Sequence, residues 1–145
     1  MKKKYLIMIA ILVTVSSSLG CQSKNVAEGE KNKYKNGTYE AKTDAGTEGF
    51  HSEATLKISN NKISDVQWKI VDQNGRVFDK TYEEVYPNSA LYQQQCRSDY
   101  KGAITYGPKL IQTQDIDKVD AVSGATWSYN KFVEVVSKAL DKAEK

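Results

Sequence analysis

The chain has 145 residues, 39% of them hydrophobic and 27% charged, enough for one folded domain plus whatever its ends carry. Its net charge of +3 lies wholly in Lys2, Lys3 and Lys4: with those three of the 21 basic residues set aside, 18 basic face 18 acidic residues. A near-neutral domain lacks the basic face that a phosphate backbone needs, so nucleic acid is not an expected partner; one His and two Cys leave a structural zinc or haem site without its usual ligands.

The first twenty residues read as a signal peptide. "MKKK" is a positive start, Tyr5–Val15 is an apolar core of secretory length, and Ser16–Gly20 are mostly small or polar. "SLGC" resembles a bacterial lipobox, with Ser18 where an aliphatic residue is usual and Leu19 where a small one is. The resemblance implies that Cys21 is diacylated and becomes the first mature residue, which places the protein outside the cytoplasm on a membrane lipid anchor. A plain signal-peptidase site and an uncleaved anchor are the alternatives. With Cys21 lipidated, Cys96 has no intramolecular partner, and an unpaired thiol in an exported protein is expected to be buried as a small hydrophobe. Gln22–Lys35 is polar and aperiodic, so residues 21–35 read as a lipidated Cys and a flexible tether, roughly 20 Å in reach.

The domain is predicted over residues 36–145. Thr38–Ala41 alternates after an Asn36-Gly37 turn, a short strand. Asp44–Gly49 is a loop of turn residues. "HSEATLKIS" sets Ala54, Leu56 and Ile58 against Glu53, Thr55 and Lys57, a half-buried strand. Asn60–Lys62 turns the chain into another strand with Ile63, Val66, Trp68 and Ile70, and Asn74-Gly75 tips the next turn. Trp68, at mid-strand, is expected in the core, and His51 is expected to be an ordinary strand or surface residue.

From Thr81 the alternation fades. Leu91, Tyr92, Cys96, Tyr100 and Ala103 fall at helical spacing behind Ser89, a candidate N-cap. Gly107-Pro108 is expected to end that helix and start a new one. "DIDKVD" reads as an extended connector. Phe132, Val135, Val136, Ala139, Leu140 and Ala143 then form the apolar stripe of a closing helix. The predicted fold class is α+β: a small antiparallel sheet with helices packed on one face.

"VDAVSGATWSYNKF" puts Thr126 near the start of that last helix. Free backbone N–H groups and the helix dipole favour an anion there, such as a phosphate. Gly124 and Ala125 have almost no side chain, so a bulky group could come close to the backbone, and Ser123, Thr126 and Ser128 supply hydroxyls. The other reading of a Ser or Thr before a helix is a cap and nothing more.

"DAVSGAT", with Asp120, Ser123, Gly124, Ala125 and Thr126 in this spacing, resembles the flavinylation motif of the FMN-binding domain family. "NGTYEA" resembles that family's opening strand and "AGTEGFHSEATLKISNNKISDVQW" its Gly-rich loop and hairpin, so the likeness runs over residues 36–141. It implies that the Thr126 hydroxyl forms a phosphoester with FMN, installed from FAD by a separate flavin transferase with magnesium. It also implies that Gly124 and Ala125 admit the transferase and the flavin, that Ser123 bonds the phosphate or holds the turn, and that Asp120 is read by the transferase or orders the loop. Gly46–Phe50, including Gly49 and Phe50, would line the flavin ring. Trp127 would stack on it, or pack on the sheet as a residue at the helix start.

A flavin takes one or two electrons, and its protein positions it and sets its potential. No second cofactor motif and no Ser-His-Asp set accompanies it. The sequence therefore reads as a membrane-anchored extracytoplasmic electron carrier, more than as an enzyme with its own substrate, fed by a membrane quinone-linked donor. A non-covalent FMN-binding protein is the nearest alternative, and a surface ligand-binding or interaction lipoprotein without flavin is the next.

Overall fold

The computed structural model describes residues 33–144; the expected signal peptide, Cys21 and residues 22–32 of the expected tether lie outside the described residues. Three strands, β1 (Gly37–Lys42), β2 (His51–Ser59) and β3 (Lys62–Val71), form an antiparallel sheet in the order β1-β2-β3. Two helices follow, α1 (Ala90–Thr113) and α2 (Thr126–Ala143), and both cover one face of that sheet. This is the α+β arrangement expected from the two periodicities.

The alternation in β2 sorts its faces as predicted: Ala54, Leu56 and Ile58 are buried, and Glu53 faces outwards, paired with Lys42 of β1 and Lys69 of β3. The β2–β3 turn uses Asn60 and Asn61 at φ of +52° and +59°, the left-handed pair that suits a two-residue hairpin. The odd spacing of Ile63 and Val66 has a local cause. Lys57 pairs with Asp65 but Ile58 pairs with Ile63, so Ser64 is an extra residue and the bulge restores one apolar face.

Every residue of the predicted closing stripe, from Phe132 to Ala143, is buried in α2. Trp68, expected in the core, is only partly buried: it packs against the core's edge, with its ring 5.0 Å from Phe132 between centroids. Tyr34, on the tether side of the predicted boundary, is also buried; it bridges to Glu144 while the Lys35 N–H donates to the Ala143 carbonyl.

Two expectations in the second half fail. The chain does not break at Gly107-Pro108: α1 runs through both. Gly107 is buried where the helix meets β3, and a side chain there would press on the Val66 carbonyl at 3.3 Å. It is a packing glycine, not a stop. Pro108 has no N–H to give the Ile104 carbonyl, and both residues lie on the exposed side of the helix. The "DIDKVD" connector holds a single 3-10 turn, Ile116–Lys118, instead of being extended throughout. Ser89 caps α1, accepting from the Tyr92 N–H. At the other end, the Gln114 side chain accepts from the Ile63 N–H at 2.7 Å and donates to the Ile63 carbonyl at 2.9 Å, tying the helix to β3.

Candidate functional site

α2 starts at Thr126 itself. Ala125 occupies the N-cap position and makes no side-chain cap. Thr126 is therefore the first helical residue, exposed, and its hydroxyl is not spent on the cap that local sequence suggested.

The loop before it is fixed from α1. The Tyr106 hydroxyl donates to the Ala125 carbonyl at 2.9 Å and accepts from the Val122 N–H at 3.2 Å. Ala125 is wholly buried against Gly102, where any added Cβ would collide with its methyl. The small size of Ala125 thus serves helix packing and gives nothing access to the backbone from outside. Gly124 takes φ of +80°, a conformation that glycine adopts freely.

Thr126 and Gly124 open onto a cavity of about 890 Å³. Trp127, Phe50, Phe78, Tyr82 and Tyr86 line it. The Phe50 and Phe78 rings stand edge-on to Trp127 at 5.1 and 5.2 Å, and Tyr82 follows Phe78 at 5.2 Å. Such geometry is the favoured one for aromatic pairs. Trp127 therefore belongs to the cavity wall and not to the sheet packing. Its indole N–H donates to the Glu48 carboxylate at 2.8 Å, which ties the β1–β2 loop to α2. The first turns of α1 also line it, with Tyr92, Cys96 and Asp99, and Tyr92 stacks on Tyr86 at 5.2 Å.

Of the residues singled out in the sequence, Gly124, Thr126, Trp127 and Phe50 meet at this cavity. Asp120 and Ser123 are exposed and lie off its wall, Ala125 lies beneath it, and Gly49 takes a left-handed turn at φ of +76° beside Gln73. Cys96 is not the buried hydrophobe expected: it is half-exposed at the cavity, because Leu91 and Tyr92 on the same face stay open to solvent. Sequence reasoning also missed Phe78, Tyr82 and Tyr86. Their spacing of four was visible, but the segment has no continuous period to give it meaning.

The cavity is aromatic and weakly charged. No lysine or arginine lines it among the described residues, so the first turn of α2 is its positive end. Burial pushes the Cys96 thiol up, helped by Asp99 and Glu83 nearby. Burial, together with the hydrogen bond to Asp72, pushes the Tyr82 phenol up. Burial likewise raises the Asp99 carboxyl from its ordinary value, against two hydrogen bonds from Ser128.

The family profile described as "FMN-binding domain" matches residues 9–141. A Clostridium perfringens protein of known crystal structure is 27% identical, with a TM-score of 0.53 over 76% of this chain and 88% of that one. A Clostridium thermocellum protein solved by NMR is 24% identical, with a TM-score of 0.47 over 77% and 93% of the two chains. No curated protein matches the chain.

Proposed function

Because this chain belongs to the FMN-binding domain family and so takes FMN as its cofactor, we propose that it is an exported, membrane-anchored electron carrier with the flavin held covalently through a phosphoester on Thr126. The observation that carries the reading is the state of Thr126: an exposed hydroxyl at the first position of α2, free of capping duty, on the rim of an aromatic cavity. The residues suit the group. Trp127, Phe50 and Tyr82 offer apolar faces to a planar ring, and the N–H groups of Thr126 and Trp127, which have no partner inside the helix, favour a phosphate.

FMN supplies one- and two-electron chemistry once bound; the chain orients it and sets its environment. Attachment itself falls to a separate transferase. The Thr126 oxygen bonds to the flavin-side phosphorus of FAD, the bond between the two phosphates breaks, AMP leaves, and the hydroxyl loses its proton. Nothing in this chain needs to be the base for that step. Outside the cytoplasm a covalent bond keeps the flavin from diffusing away. Cys21 would anchor the domain by its lipid, and the tether would give it roughly 20 Å of reach towards a quinone-linked donor in the membrane.

The test is flavin fluorescence on a denaturing gel, with the full-length chain co-expressed with an exported flavin transferase. The wild type should give a fluorescent band and Thr126→Ala none. A dark wild type beside a fluorescent control substrate would overturn the covalent reading; flavin that co-purifies but is lost on denaturation would make the protein a non-covalent binder.

A further inference from the structure

α2 receives its cap from the neighbouring helix. Asp99 of α1 reaches across, and its Oδ1 accepts from the Ser128 N–H at 3.3 Å and the Ser128 hydroxyl at 3.1 Å. Ser128 is the third residue of α2, so this N–H is one of the four that a helix start leaves without an internal partner. One carboxyl oxygen does what a side chain at position 125 would ordinarily do.

The other oxygen is unexplained by packing. Asp99 is only 8% exposed, and its Oδ2 is buried with no hydrogen-bond partner among the described residues. Asp99 lines the same cavity as Gly124 and Thr126. An unpaired buried oxygen costs about 1–3 kcal/mol, so it needs a partner that packing does not supply, and a ligand held in the cavity beside Asp99 would be one. The ligand must suit the chemistry present. A phosphoester on Thr126 is an anion at the same helix end, and an ionised Asp99 would repel it. Burial shifts Asp99 towards its protonated form, and a phosphate anion at the same helix end would shift it further; once protonated, the carboxyl has an O–H to give.

We propose that Asp99 is a positioning residue of the attachment site: it caps α2 from α1, so that the Thr126 hydroxyl stays free, and it presents its second oxygen as a hydrogen-bond donor to the phosphate that Thr126 carries. The inference rests on the covalent reading of Thr126 and extends it to a residue 27 positions earlier in the chain.

Two measurements on the full-length protein in detergent test it. The first is the rate of flavin mass gain with a flavin transferase, FAD and magnesium. Asp99→Asn keeps both an acceptor for Ser128 and an N–H donor for the phosphate, and should stay within about threefold of wild type. Asp99→Ala should be slower by about tenfold or more, the worth of a hydrogen bond to a charged group. Asn as slow as Ala would mean that a charge is needed, and Ala as fast as wild type would mean no role; either overturns the proposal. The second measurement holds even if a variant fails to fold. The Asp99 carboxyl of the wild type is titrated by carbon NMR with and without flavin. Among the described residues its titratable neighbours are Cys96 and Tyr106 of α1, both raised by burial, and Glu83 beside Cys96; from α2 the neutral Ser128 faces it. The proposal expects a midpoint above the ordinary carboxylate range that rises further on loading. An ordinary midpoint, or one unmoved by loading, overturns it. A wild type that gains no flavin while a control substrate does overturns the covalent reading and this inference together; a loaded wild type with the wrong variant ranking overturns this inference alone.

Discussion

Thr126 separates two roles that its sequence context leaves open. A capping threonine stabilises its helix, and removing it costs about 1 kcal/mol. Thr126 stands one position past the cap, exposed, so Thr126→Ala should change stability by no more than about 0.5 kcal/mol while abolishing covalent flavin. Thermal melting of the flavin-free protein checks the first half, and a loss near 1 kcal/mol would return Thr126 to a structural role. Gly102 makes the opposite kind of prediction. Gly102→Ala drives a methyl into Ala125 and should cost about 1–3 kcal/mol, read by denaturant unfolding. The "SGAT" stretch was legible as a candidate site at the start of α2, but the reason for its alanine was not. That reason is a glycine on another helix, and no local pattern connects the two.

At the scale of elements, the aromatic wall depends on a turn. Asp72 ends β3's turn by accepting from the Asn74 and Arg76 N–H groups at 2.8 Å each, and its other oxygen accepts from the Tyr82 hydroxyl at 3.0 Å. Burial alone would raise the Asp72 carboxyl; the hydrogen bonds from Arg76, Tyr82 and Asn74 outweigh it and hold the group below its ordinary value. A depressed carboxylate stabilises the fold above its unfolded value and loses that contribution as pH falls through the folded one. Asp72→Asn should therefore melt lower than wild type at pH 7, with the gap closing below about pH 4. A gap independent of pH would contradict this account. β1, β2 and α2 were legible because each repeats one period over a full element, and β3 because its period resumes after the Ser64 bulge. The cavity wall was not, since Phe78, Tyr82 and Tyr86 come from a segment of turns where spacing predicts no face. Gly107-Pro108 misled for a related reason: a glycine that lets α1 approach Val66 has the same local signature as a helix stop.

Across the whole molecule, the sheet buries one face only, and α2 supplies most of the cover through residues such as Phe132 and Val136. Phe132→Ala should cost about 3–5 kcal/mol, enough to threaten the fold of a domain this small. The outer face is held by charges instead: Glu53 sits between Lys69, Lys42 and His51 and is lowered to about 2 by their hydrogen bonds, a surface cluster that contributes little to stability. The core and the chemistry are thus set apart. The buried stripe of α2 makes the fold, and the first turn of the same helix presents a hydroxyl to the cavity. The most direct test of that division is peptide-resolved mass spectrometry of the full-length chain after expression with a flavin transferase. The account predicts the mass of an FMN phosphoester on the peptide that contains Thr126, with fragmentation placing it on Thr126. The same mass on Ser123 or Ser128, or none on any peptide when a control substrate is modified, would contradict it.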